Sequence, residues 1–286
     1  MLTTLHQICW IAGMEYRKWL TRKHLLVLLF SILFLGEYVF SDMLRVAQIT
    51  GLRINCLEPM ALVLSFAFYI MAVPLIVIVE LSDFPDKSAG NIFVVMRIRR
   101  ITWLFGELFF GFLAGATCLL VFFAASLIWT FGYTSVSNTW SPFMTAIYEK
   151  FPDLYTSNAR LFLESGTLSH GSPISVTLTC VGLLLLYILS MVQILCLFRF
   201  LGRQKTGLIV TIGITVFGAV SAAYIEDIKW YFPITHAIFG LHYDKFFAQS
   251  IVPLYASILY FAILNLGLLA LNIRMAKRCM IADGSW

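Results

Sequence analysis

The chain has 286 residues, of which 60% are hydrophobic and only 12% are charged, and its formal net charge is +5. Soluble domains carry about 25% charged residues, so this composition and a mean hydropathy of +0.88 exclude a water-soluble fold. The basic residues flank apolar runs. We therefore expect them to set the orientation in a membrane, and they indicate no nucleic acid partner.

Six apolar runs predict six transmembrane helices, because a helix needs about 20 residues to cross about 30 Å of hydrocarbon. Of the 20 Lys and Arg residues, 14 flank one face and 6 flank the other. The positive-inside rule makes the first face cytoplasmic. We expect an all-α, multi-pass protein of the cell membrane, one transmembrane domain over residues 1–286 with both termini cytoplasmic. The predicted spans are about 25–40, 60–79, 104–131, 174–197, 208–225 and 252–273.

Residues 1–22 precede the first run and carry apolar side chains at helical spacing. Leu5, Ile8, Ala12 and Trp19 share one side, and polar residues occupy the other. This pattern is typical of an amphipathic helix in the cytoplasmic interface. The alternative is a solvated extension of the first span.

The segment between the second and third runs, 81–103, combines an apolar stretch with a cluster of arginines. The apolar stretch is 92–96, and Arg97, Arg99 and Arg100 follow it. One interpretation is a short helix that docks on a cytoplasmic partner. The other is that the apolar stretch enters the headgroups while the arginines bind lipid phosphate.

Small and polar residues recur within two of the apolar runs. Thr211, Thr215 and Gly218 lie at near-helical spacing in the fifth run, and Ser65 and Tyr69 are one turn apart in the second. Small residues allow helices to approach closely. These faces either pack against a neighbouring helix or line a cleft between subunits.

The predicted external segments carry helix-start and aromatic signals. Ser141-Pro142 begins a plausible short helix within 132–173. The aromatic segment 226–251 is read either as short helices that dip into the outer leaflet or as an aromatic belt. Pro74 is expected to kink the second span.

The sequence lacks the motifs that carry chemistry in many membrane proteins. It contains no phosphate-binding Gly-x-x-x-x-Gly-Lys-Ser/Thr motif, no metal-binding spacing and no catalytic motif. We therefore expect no catalytic residue, metal or cofactor on this chain. A pump built from it takes its energy from another chain.

The order of these features resembles the membrane subunit of type-2 ABC exporters, a family of six-span permeases. The shared features are an N-terminal interfacial helix, a coupling segment between spans two and three, and short external helices before the last span. The segment 80–103 carries the most specific part of the resemblance, although Glu107 stands where the family often has Lys and the loop after span three is longer than usual. The matching residues are Glu80, Gly90, Arg97, Arg100 and Trp103.

The resemblance implies a permease paired with an identical or related chain, surrounded by lipid and docked on a cytoplasmic ATPase that binds ATP and Mg²⁺. A non-transporting membrane sensor or immunity protein is the alternative, and an intramembrane enzyme is a third. The transported substrate stays open. The implied coupling residues are Asp86, Phe93, Val94, Arg97, Arg99 and Arg100, and the implied path residues are Ser65, Tyr69, Thr211, Thr215 and Gly218.

Overall fold

The structure is a computed structural model that describes residues 4–20, 24–82, 84, 98–244 and 249–278. Most of these residues are helical, and they include one short pair of strands. The strands are β1 (Ile54–Asn55) and β2 (Thr134–Ser135). In chain order the helices are α1 (Thr4–Leu20), α2 (His24–Leu35), α3 (Ser41–Thr50), α4 (Glu58–Ser65), α5 (Ala67–Glu80), α6 (Arg100–Trp129), α7 (Pro142–Thr145), α8 (Ile147–Lys150), α9 (Pro152–Ser157), α10 (Ser165–Ser169), α11 (Pro173–Phe200), α12 (Gln204–Tyr224), α13 (Pro233–Ala237) and α14 (Leu254–Arg278).

Among the described residues, five helices are long and apolar enough to cross a bilayer, and a sixth span is formed if the bent pair α4–α5 counts as one. An all-α, membrane-embedded architecture is therefore what the structure shows. The five are Leu25–Thr50, α6, α11, α12 and α14.

The first span is longer than its apolar run. The run was expected to end at residue 40, but a π-helical turn at Gly36–Phe40 leads directly into α3. Met43, Val46 and Ala47 are buried at i, i+3 and i+4, which extends the packed face of the helix beyond the apolar run. The helix ends at Gly51, whose φ of 69° is the left-handed conformation that commonly terminates helices.

The second span is broken at Phe66, eight residues before Pro74. The axes of α4 and α5 differ by 91°, and Phe66 between them is extended, with φ −104° and ψ 131°. Pro74 lies inside α5, which continues through it. The sharp bend of this span therefore lies at Phe66, and the expected kink at Pro74 stays a prediction. An extended residue turns the chain more sharply than the loss of one hydrogen bond at proline.

Helix α6 packs closely on α11 because glycines interrupt its surface. A Cβ on Gly111 would lie 2.5 Å from Val192 of α11, and one on Gly115 would lie 2.6 Å from Ile188. Such approaches are possible only without a side chain. We call the end of the bundle where α5 and α11 end and α6 and α12 begin the basal end. The distal end holds segments 51–57, 130–172, 225–244 and 249–253.

Glu58 joins two connecting segments at the distal end. Its carboxylate accepts hydrogen bonds from the Asn55 N–H at 2.8 Å, from the Ser141 N–H at 2.6 Å and from Ser141 Oγ at 2.6 Å. The Asn55 side chain in turn donates to the Thr139 carbonyl at 3.0 Å. Since β1 and β2 also pair in parallel, segments 51–57 and 130–141 form one connected layer.

Candidate functional site

The structure describes two of the six implied coupling residues, and these two lie at the basal end. Asp86, Phe93, Val94 and Arg97 lie outside the described residues. Arg99 is the exposed residue before α6, and Arg100 is its half-buried first residue. The positive charge expected at this surface is therefore present where α6 begins.

The flanks of the coupling segment are anchored to the bundle. On one side Phe84 is buried against Phe110, with ring centroids 5.7 Å apart. On the other side Trp103 meets Phe200 edge to face at 6.1 Å. Phe84 therefore joins the start of the segment to α6, and Trp103 joins its end to α11.

The α11–α12 turn is bonded to the same segment. Gln204 Nε2 donates to the Ser82 carbonyl at 2.9 Å, and the Arg199 guanidinium donates to Gln204 Oε1. The two basal connections therefore meet in space although they are more than a hundred residues apart in the chain. Sequence reasoning did not predict this contact, because neither residue belongs to a recognisable motif.

Helix α1 runs along α6. A Cβ on Gly106 would lie 2.7 Å from Ile11 Cβ, and the hydroxyls of Tyr16 and Thr117 are 2.8 Å apart. Gly106 and Thr117 are separated by about 16 Å along the helix. A helix that crossed α6 at a single turn would not contact both residues. Helix α1 therefore packs along the length of α6. Its expected place in the membrane interface stays a prediction.

Two carboxylates are buried near the basal half of the bundle. Glu107 is 0% exposed and Glu80 is 3% exposed. Glu107 and Arg199 both lie close enough to Cys196 to act on it electrostatically, so α6 and α11 place an acidic and a basic residue in the same region. The sequence showed both acids near span ends but gave no sign of their burial.

The fifth-span residues predicted to line a path are packed within the chain. Thr215 Oγ1 lies 2.8 Å from the Tyr187 hydroxyl of α11. A Cβ on Gly218 would lie 2.5 Å from Ile234 Cγ2 of α13. Thr211 is buried and donates to the Gly207 carbonyl at 2.8 Å. Of the two interpretations, this arrangement favours a packing face in the conformation described.

The second-span residues lie at the bend. Ser65 is the last residue of α4 and donates to the Ala61 carbonyl at 2.6 Å. Tyr69 is 8% exposed, and its ring meets that of Tyr38 edge to face at 6.2 Å. The structure therefore does not place Ser65 and Tyr69 with the three fifth-span residues on one open surface. Their role in a path stays a prediction.

A ladder of amides joins α11 to α14, and sequence reasoning missed it. Gln193 Nε2 donates to Asn265 Oδ1 at 2.7 Å, and Asn272 Nδ2 donates to the Gln193 carbonyl at 3.0 Å. Ser190 Oγ also donates to Asn265 Oδ1, at 3.2 Å. The sequence did contain a sign of this contact. Ser190 and Gln193 are spaced i, i+3 and Asn265 and Asn272 are spaced i, i+7, so each pair of polar residues lies on one face of an apolar helix.

Two histidines are buried at the distal end. His236 Nε2–H donates to the Trp230 carbonyl at 2.8 Å, which leaves Nδ1 to accept from Ser257 Oγ at 2.7 Å. His242 Nδ1–H donates to the Val252 carbonyl at 2.8 Å. Ser257 is 0% exposed, so the serine–histidine pair offers no access for a substrate and ties α13 to α14. Burial lowers the pKa of both imidazoles below the ordinary 6.5, against opposing backbone hydrogen bonds.

The described residues contain no group of three or more His, Cys, Asp or Glu side chains arranged to hold a metal ion. Comparison of the chain with models of protein families, with curated proteins and with solved structures found no match.

Proposed function

We propose that this chain is the membrane subunit of an ATP-driven ABC exporter, which forms the translocation path and is moved by a separate ATPase chain. The observation that supports this most is the joining of the basal connections. Segment 81–103 is flanked by buried aromatic contacts, and Ser82 is bonded to Gln204 at the start of α12. A force on this one segment therefore reaches α5, α6, α11 and α12 together.

An energy argument supports a separate motor. A conformational change needs a differential interaction free energy between the two states. Transport against a gradient takes this from ATP or from a coupled ion, and the sequence has no phosphate-binding motif. We propose that the partner ATPase binds ATP and Mg²⁺, that its grooves receive Phe93 and Val94, and that its acidic rim meets Arg97, Arg99 and Arg100.

The proposed assembly pairs this chain with an identical or related permease in the cell membrane, with both termini cytoplasmic. A single cysteine placed at Lys87 in a Cys-free chain tests the orientation. An impermeant thiol reagent added outside intact cells is expected to leave it unlabelled. Labelling from outside places segment 81–103 on the external side and contradicts the proposal.

Affinity purification of the tagged chain from its native membranes tests the proposed partner. We expect an ATPase with a phosphate-binding loop to copurify in stoichiometric amount, and Phe93→Ala to reduce its recovery. Phe131→Ala is the matched control, because Phe131 is a distal aromatic that is 84% exposed. A chain recovered without any ATPase favours the alternative, a membrane protein that acts by binding alone.

A further inference from the structure

A groove opens among α1, α6, α11 and α14. Its volume is about 500 Å³, within the range of about 300–1,000 Å³ that small-molecule sites occupy. Leu5 of α1 lines one side, Phe109 and Phe112 of α6 line another, and Leu266 and Leu269 of α14 face them. The described residues that line it include no charged side chain.

The groove has one polar region, formed by Gln193 and Asn265. Asn265 is fully engaged, because its Oδ1 accepts from Gln193 Nε2 and its Nδ2 donates to the Leu186 and Phe261 carbonyls at 3.2 and 2.9 Å. Gln193 is only 2% exposed. Its Oε1 has no hydrogen-bond partner among the described residues.

An unsatisfied buried carbonyl oxygen costs free energy. A single water would relieve it poorly, since buried waters typically make about three hydrogen bonds and the groove walls are otherwise apolar. A ligand with an apolar body and one donor group suits both features. Gln193 is one of the residues that line the groove, so a donor held there lies next to this side chain.

We propose that this groove binds an uncharged, single-chain amphiphile. Its hydrocarbon body lies between Phe109 and Phe112 of α6 and Leu266 and Leu269 of α14, and its hydroxyl or amide N–H donates to Gln193 Oε1. The absence of charge among the described lining residues argues against a phosphate or carboxylate headgroup inside the groove, because a desolvated charge needs a partner. The site does not depend on the proposed transport function.

The test uses the full chain in lipid nanodiscs and two probes, a hexadecanol that carries a diazirine on its chain and the methyl ether of the same molecule. The ether keeps the apolar body and loses the donor. We expect saturable photolabelling by the alcohol within 105–112 and 265–269, detected by mass spectrometry. The ether should label about fivefold less at equal concentration, since a hydrogen bond contributes about 1 kcal/mol and 1.4 kcal/mol is tenfold.

Two variants separate binding from folding. Gln193→Leu should remove the difference between alcohol and ether. Leu269→Trp should fill the groove and abolish saturable labelling, whereas Leu259→Trp, at an exposed position of α14 outside the groove, should leave it intact. Equal labelling by both probes in the unmodified chain overturns the proposal. So does labelling spread evenly over the lipid-facing helices, which indicates bulk lipid contact only.

Discussion

Gly218 of α12 lies directly against Ile234 of α13, so closely that a Cβ atom at position 218 would be 2.5 Å from Ile234 Cγ2. Phe232 Cβ would be 3.0 Å from the same added atom. The absence of a side chain at Gly218 is therefore what allows the distal segment after α12 to fold back onto it.

Gly218→Leu is expected to lower the melting temperature in detergent. A larger side chain must displace Ile234 and Phe232, and overpacking of this kind typically costs about 1–3 kcal/mol. Gly213→Leu on the same helix is the control, because a Cβ there would meet nothing within 4 Å. If Gly218→Leu blocks function and the melting temperature of the protein is unchanged, position 218 lines a cleft and the packing interpretation is wrong.

Helix α1 depends on Gly106 for its place against α6. Gly106→Val should push Ile11 outward and loosen α1, since a Cβ at 106 already falls 2.7 Å from Ile11. The expected result is faster hydrogen exchange across Thr4–Leu20 with little change in α11. Gly13→Val, on α1 itself and without a neighbour within 4 Å, should not have this effect. Equal exchange in both variants would show that α1 is held elsewhere.

The distal layer depends on Glu58, whose carboxylate takes three hydrogen bonds from Asn55 and Ser141. Glu58→Gln replaces one accepting oxygen with a donor and leaves a buried group unpaired, which we expect to destabilise the protein by about 1–3 kcal/mol. Hydrogen exchange over residues 134–145 should rise. Glu149→Gln at an exposed distal site serves as the control, and equal behaviour of the two variants would show that Glu58 is not the link.

The buried histidines predict a loss of stability in acid. Because burial holds the pKa of His236 and His242 below 6.5, the unfolded chain binds more protons, and stability rises with pH in that window. The stability that the two neutral imidazoles contribute is fully present above about pH 6.5. It is lost as the pH falls through their lower pKa values in the folded state.

Thermal melting between pH 7.5 and 5 measures this. His242→Asn, whose side-chain amide can still donate to the Val252 carbonyl, should flatten the profile. His170→Asn, at an exposed position, should leave it unchanged. If the melting temperature of His242→Asn falls with pH as steeply as that of the unmodified chain, other groups cause the pH dependence.

The apolar runs predicted where the long helices lie, because about 20 apolar residues in a row have few alternatives to a span. They did not predict the 91° bend at Phe66. No glycine or proline marks that position. The extension of the first helix to Thr50 was missed because its second half is amphipathic and carries Asp42 and Arg45.

The polar contacts were predicted less well than the spans. Gln193 and Asn265 were visible as polar residues in apolar runs, but which amide faces which helix depends on the rotation of α11 and α14, and a single sequence does not specify it. The burial of Glu58 depends on Ser141, which is distant in the chain. The coupling residues Phe93 and Val94 lie outside the described residues, so their role stays a prediction.

The central claim is that a separate ATPase drives this chain, and ATP hydrolysis by the purified complex in nanodiscs tests it most directly. We predict Mg²⁺-dependent hydrolysis that falls at least several-fold in Phe93→Ala and is retained in Phe131→Ala, with both variants inserted normally. Two results would contradict the account. One is a purified chain that has no bound ATPase and shows no ATP hydrolysis, and the other is a complex whose rate of hydrolysis is unchanged by Phe93→Ala.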